Sequence, residues 1–113
     1  MDERRQYQRT TDVEVQVHQC VTSHMGQEVW LEATAFDMSA TGLCLVMDKS
    51  RNPGEELFIL ATVTKPGEPS RELSVNGVST YCRPGDDGRW RVGVRFTDLG
   101  EWEQEDWAQF LGI

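Results

Sequence analysis

The chain is short of everything that would make it a membrane protein, a secreted protein or a familiar enzyme. No apolar run approaches the ~20 residues a helix needs to cross a bilayer. The opening Met1-Asp2-Glu3-Arg4-Arg5 is followed by no apolar stretch, so no secretory leader is expected. Three cysteines, Cys20, Cys44 and Cys82, cannot all pair, which fits a reducing compartment and a cytoplasmic protein. Only two histidines occur, and no Ser–His–Asp arrangement is readable. There is no P-loop and no G-x-G-x-x-G. Clustered acids at Glu101, Glu103, Glu105 and Asp106 read as a solvated helix face, so no enzyme activity is expected. His18-x-Cys20-x-x-x-His24 has the wrong spacing for paired zinc knuckles and offers only three ligands. No metal is expected there, and His18 and Cys20 are read as sharing one face of a strand.

Bases are scarce too. Nineteen acids against eleven bases leave a formal net charge of −8. That argues against general nucleic-acid binding, which needs a basic face to release counterions, and against adhesion to an anionic membrane. The bases are unevenly spread: residues 1–9 hold Arg4, Arg5 and Arg9 against only Asp2 and Glu3. A small anionic ligand could find a positive site on an otherwise acidic protein, while long polyanions would be discouraged.

At 113 residues one domain is expected. Asp12–His18 alternates apolar and polar with period two, the pattern of a half-buried strand. Glu28–Phe36 repeats it less strictly. Leu43–Met47 is a continuous apolar run, and Leu57–Val63, Glu72–Cys82 and Arg89–Phe96 complete six strand candidates. The spacers hold breakers at Gly26, Asn52-Pro53-Gly54, Lys65-Pro66-Gly67 and Pro84-Gly85-Asp86-Asp87-Gly88. The pattern predicts an all-β, six-stranded antiparallel β-barrel, since closure removes exposed edges. Leu99–Leu111 predicts a C-terminal α-helix with Asp98 as N-cap and Trp102, Trp107, Phe110 and Leu111 as an apolar face on the barrel. Residues 1–11 have no hydrophobic period and read as a flexible N-terminal arm, ahead of a body spanning 12–113.

Two short motifs carry the chemistry. Arg5 and Arg9 form R-x-x-x-R, and Asp37-Met38-Ser39-Ala40-Thr41-Gly42 reads D-x-S-x-x-G. Guanidinium forks suit phosphates and the N7/O6 edge of guanine. A carboxylate accepts from guanine N1–H and N2–H groups, which no arginine can do. The hexad falls where one strand ends at Asp37 and the next opens at Gly42, so it reads as a turn or bulge on the barrel surface.

In this order, and with this strand pattern behind them, the two motifs resemble the PilZ family of cyclic di-GMP receptors. The resemblance covers nearly the whole chain. It implies a PilZ-like barrel with a terminal helix, an arginine arm, and no catalysis. It implies that Arg5 and Arg9 grip guanine edges and phosphates, that Asp37 reads a guanine Watson–Crick edge, and that Ser39 contacts a phosphate or base amine. Gly42 would let the backbone approach the ligand. Arg4, directly before the first motif arginine, implies two stacked cyclic di-GMP molecules. Arg91 and Gly93 are weaker candidates, placed on one face by alternation where related proteins line the other wall of the site. Tyr81 could stack on a purine, although a half-buried strand tyrosine is the plainer reading. The expected mode is a receptor whose ligand orders the arm against the hexad and alters a surface for a downstream protein in motility, exopolysaccharide or biofilm control, as a monomer or weak homodimer. The rival readings are a PilZ-fold interaction adaptor that binds no nucleotide, and a nucleic-acid-binding small barrel, disfavoured by the −8 charge.

Overall fold

The computed structural model describes Thr10 and residues 12–112. Seven strands precede one helix: β1 (Glu14–His24), β2 (Gln27–Trp30), β3 (Thr34–Met38), β4 (Gly42–Met47), β5 (Glu56–Thr64), β6 (Arg71–Pro84), β7 (Trp90–Phe96) and α1 (Glu101–Leu111). They form one curled sheet in the order β2-β1-β5-β6-β7-β4-β3, with every pairing antiparallel. Alternation drives the curl. Leu57, Ile59, Ala61 and Val63 on β5, Leu73 and Val75 on β6, and Val92 and Val94 on β7 all turn inward and are almost wholly buried. Leu43, Leu45 and Met47 of β4 join the same core.

The expected six-stranded closed barrel is corrected in two respects. The single stretch Glu28–Phe36 divides at Leu31–Ala33 into β2, which pairs with β1, and β3, which pairs with β4. Asp37 therefore lies inside β3 rather than at its end. Among the described residues β1 and β3 form no ladder; an isolated bridge joins Thr10 to Met38. The reason is register. A ladder continued from the Val21–Trp30 pair would set Thr10 against Thr41, yet Thr10 meets Met38 three residues short. The sheet is thus drawn together along a seam without being hydrogen-bonded along its length.

A β-bulge between Val17 and Gln19 breaks the alternation of β1. As a result Cys20 is buried in the core, whereas His18 is exposed and its Nε2 lies 2.6 Å from Thr62 Oγ1. The two do not share a face, contrary to the alternation. Among the described residues no three His, Cys, Asp or Glu side chains converge as a metal would need.

The helix begins two residues later than its expected cap. Gly100 is the N-cap, and Glu103 reaches back to accept from the Gly100 N–H at 2.9 Å. Asp98 instead ties down β6, accepting from the Asn76 N–H at 3.0 Å and the Asn76 amide at 2.9 Å. Gly112, at φ 78°, ends the helix in the left-handed conformation that glycine adopts most readily. Trp107, Ala108 and Leu111 are buried against the sheet. Trp107 meets Phe110 edge-on at 5.7 Å, and the Arg71 guanidinium lies 5.0 Å from the Trp107 ring and 4.9 Å from the Phe110 ring. The Lys65 ammonium donates to the Phe110 carbonyl at 2.9 Å. Trp102 does not join this face: it is 89% exposed. At roughly 100° per residue, five positions carry it about 140° away from Trp107.

Trp107→Ala is expected to cost about 3–5 kcal/mol of stability, and Trp102→Ala no more than about 0.5 kcal/mol; urea unfolding of both variants makes the comparison. Burial also pushes the Cys20 thiol up from an ordinary 9.0 to about 11, with Arg51 opposing and Glu55 adding a smaller rise. Between those values the unfolded chain loses this proton before the folded one. Stability should therefore fall as pH rises from 9 through 11, with a slope of at most about 1.4 kcal/mol per pH unit. Cys20→Ala should remove that component from the pH dependence of the unfolding midpoint.

Candidate functional site

The hexad Asp37–Gly42 is a tightly bonded corner. The Ser39 N–H donates to the Gly42 carbonyl at 2.8 Å. The Thr41 N–H donates to Ser39 Oγ at 3.2 Å, and Ser39 Oγ lies 3.4 Å from the Gly42 carbonyl. Ser39 is 2% exposed, so its hydroxyl shapes the corner from inside. Gly42 meets a steric demand of the sheet: a Cβ there would stand 2.2 Å from the Val94 carbonyl oxygen on β7. Asp37, half-buried, is brought to the outer side by a bulge between Ala35 and Asp37, which sets it opposite Cys44.

The chain reaches this corner from its N-terminal side. The Thr10 N–H donates to the Met38 carbonyl at 2.8 Å and the Met38 N–H to the Thr10 carbonyl at 3.1 Å. Thr10 Oγ1 accepts from the Asp12 N–H at 2.9 Å. Thr10 is thus anchored to the central residue of Asp37-Met38-Ser39. The expected ligand residues Arg4, Arg5 and Arg9, and the arm's expected flexibility, lie outside the described residues.

Register assembles the rest of the face. Across the sheet Asp37 stands opposite Cys44, Cys44 opposite Gly93, and Gly93 opposite Tyr81. Gly93 is glycine because the Tyr81 ring lies flat over it: a Cβ would come within 2.1 Å of Tyr81 Cε2. The ring's hydroxyl reaches the Cys44 sulfur at 3.7 Å, and the Arg83 guanidinium stacks over it at 4.4 Å. Tyr81 is therefore half-buried, as a strand tyrosine should be, yet it presents one end of a π-surface. One pair along, Arg91 lies 5.5 Å from the Phe36 ring and 3.4 Å from Asp87. The Arg89 backbone N–H, and secondly the Arg91 guanidinium, hold the Asp87 carboxyl below its usual range. In the other direction Arg95 stands opposite Gly42 and Val78, exposed, and makes no ion pair among the described residues.

Arg91 and Gly93 thus do share a face, and the structure brings that face together with Asp37 and Gly42. Sequence reasoning missed Arg95, Arg83 and Phe36. The alternation that grouped Arg91 with Gly93 runs on to Arg95, so that residue was within reach. Arg83 needed the β6–β7 register, and Phe36 needed the bulge. Clefts of 340, 550 and 280 Å³ lie elsewhere on the surface and include no residue of Asp37–Gly42.

No helix of the described residues is long and apolar enough to cross a membrane. A search of curated proteins found no match. Among solved structures the fold is similar to the Bacillus subtilis inhibitor of motility MotI (DgrA), with TM-score 0.67 and 19% identity over 96% of this chain and 50% of that one. It is similar to the PilZ domain of Escherichia coli YcgR with c-di-GMP, with TM-score 0.59 and 12% identity over 97% of this chain and 90% of that one. It also resembles the K. pneumonia MrkH–c-di-GMP complex, with TM-score 0.58 and 15% identity over 97% and 52%. The chain spans about half the length of MotI and MrkH. The PilZ domain family model matches residues 3–111, almost from end to end, and the chain belongs to that family.

Proposed function

We propose that this PilZ domain is a cyclic di-GMP receptor that passes its signal to a partner protein. The observation that carries the reading is the Thr10–Met38 bridge. It anchors the residue that follows Arg9 onto the corner that bears Asp37, which supports a single site served by R-x-x-x-R and D-x-S-x-x-G. YcgR and MrkH are c-di-GMP complexes, and MotI is an inhibitor of motility. The first two support a second-messenger role, and MotI supports motility as an output.

In this reading Asp37 accepts from the N1–H and N2–H groups of a guanine. Arg5 and Arg9 bind phosphates and the guanine N7/O6 edge. Ser39 and Gly42 hold the corner in shape, and Arg91, Arg95 and the Tyr81–Gly93 platform form the floor. In this reading the segment before Thr10 covers the ligand and adds Arg4 to the two motif arginines. Ordering that segment over the floor changes the surface a partner meets. A third cation suits the four phosphate charges of a stacked ligand pair. Nothing in the reading calls for turnover of the ligand, and the protein acts in the cytoplasm, where the nucleotide is made.

Calorimetric titration with cyclic di-GMP should give saturable binding. Arg5→Ala, Arg9→Ala and Asp37→Ala should each weaken it at least tenfold, about 1.4 kcal/mol or more. Arg4→Ala should lower the stoichiometry from two to one while leaving a measurable site. Absence of both heat and NMR shifts in the parent protein would defeat the receptor reading and leave an adaptor that binds no nucleotide.

A further inference from the structure

Away from the ligand floor, the outer face of β2, β1, β5 and the first half of β6 has a different composition. Register places Trp30, Val21, Phe58 and Asn76 in one row across the four strands. Trp30 is 62% exposed, and Val21 and Phe58 are half-buried beside it, with Leu60 two positions further along β5. This is an apolar stripe on a surface that ends at the sheet's β2 edge.

Glu28 and Glu56 border the stripe in the adjoining row, and Glu72 and Glu14 lie further along the same face. Glu14, Glu28, Glu56 and Glu72 are exposed outward positions of the same four strands, and none of them makes an ion pair among the described residues. Within these four strands no outward position of the paired rows holds Lys or Arg; the first cation beyond them is Arg95, past Val78 in the Glu56 row. A shallow depression of about 280 Å³ lies next to the stripe, lined by Val21, Ser23, Glu28, Glu56, Phe58 and Asn76. Its walls combine two carboxylates with an aromatic ring, which is the chemistry that receives a guanidinium or ammonium on an aliphatic stem.

We propose that this face is a docking site for a protein partner with a basic surface, one Arg or Lys of which seats between Glu28 and Glu56 while an apolar residue covers Trp30. The inference goes beyond the receptor reading and rests on it only in supposing that the signal leaves through a partner. Charge complementarity selects the occupant. A second copy related by two-fold symmetry would bring the four glutamates against themselves. An anionic lipid surface would be repelled. A basic protein surface gains from the acidic rim and buries the tryptophan, the kind of residue that anchors interfaces.

The test uses the intact chain without nucleotide, labelled with 15N. The probe is a synthetic peptide alternating Lys or Arg with Leu, and a Glu-for-Lys/Arg version is the control. The basic peptide should shift the Ser23, Glu28, Glu56 and Asn76 amides and the Trp30 indole, and the acidic peptide should not. Glu28→Lys combined with Glu56→Lys should weaken peptide binding about tenfold, with the unfolding midpoint and cyclic di-GMP binding unchanged. Shifts centred on the acidic helix α1, or equal binding by the charge-reversed variant, would overturn the proposal. So would a concentration-dependent dimer lost in Trp30→Glu, or binding to anionic vesicles. Because peptide and nucleotide are titrated separately, failure of one reading leaves the other standing.

Discussion

Two backbone hydrogen bonds, between Thr10 and Met38, fix the relation on which the rest of this molecule depends. They join the start of the chain to the corner that bears Asp37, and they do so across a seam where β1 and β3 form no ladder among the described residues. Backbone pairing at a buried position is costly to leave unmade, and Thr10 is 9% exposed. The bridge therefore holds the segment's base in one place regardless of what precedes it. Under the receptor reading proposed above, a ligand at the corner would meet arginines only a few residues from that anchor in sequence, which would remove most of the search.

The same placement bears on how an acidic protein would host an anion under the receptor reading. A charge of −8 on 113 residues repels phosphates at long range, but exposed charges more than about 8–10 Å apart are largely screened at physiological salt. What counts is the sign of the local face. Arg83, Arg91 and Arg95 lie on the outer side of β6 and β7, whereas the outward acids Glu14, Glu28, Glu56 and Glu72 lie on β1, β2, β5 and the first half of β6. The sheet sorts its charges by strand, and the two groups meet only in the row Glu56–Val78–Arg95.

Much of this was legible in the sequence. Period-two alternation located the strands, and turn residues located most of their ends. The hexad marked the corner between β3 and β4. Alternation failed at the bulges. In β1 the bulge after Val17 sends His18 and Cys20 to opposite sides, which undid their expected pairing. In β3 strict alternation would have sent Asp37 inward with Ala35; the bulge at Phe36 turns it outward and exposes the Phe36 ring. The split of Glu28–Phe36 at Leu31 was hidden for a related reason. Alternation tells which side a residue takes but not which partner its strand has, and here one extended stretch changes partner from β1 to β4. The helix cap failed on competition: Asp98 has a better use, since Asn76 offers it two donors, whereas at the helix start Glu103 already bonds the Gly100 N–H.

The third bulge matters most to the site. Along β6 the outward positions are Glu72, Ser74, Asn76 and Val78, and unbroken alternation would continue to Thr80 and Cys82. Tyr81 and Arg83 would then point into the core, where an arginine without a partner is very costly. The register instead shifts between Ser79 and Tyr81, leaving Thr80 as the extra residue, with its hydroxyl donating to the Gly93 carbonyl at 3.3 Å. Beyond it Tyr81 and Arg83 face outward and Cys82 faces in. One residue of slip in a single strand thus turns Tyr81 and Arg83 onto the outer face that already bears Arg91 and Arg95. The glycine at position 93 follows from it, because the ring the bulge turns outward needs the space a side chain would fill.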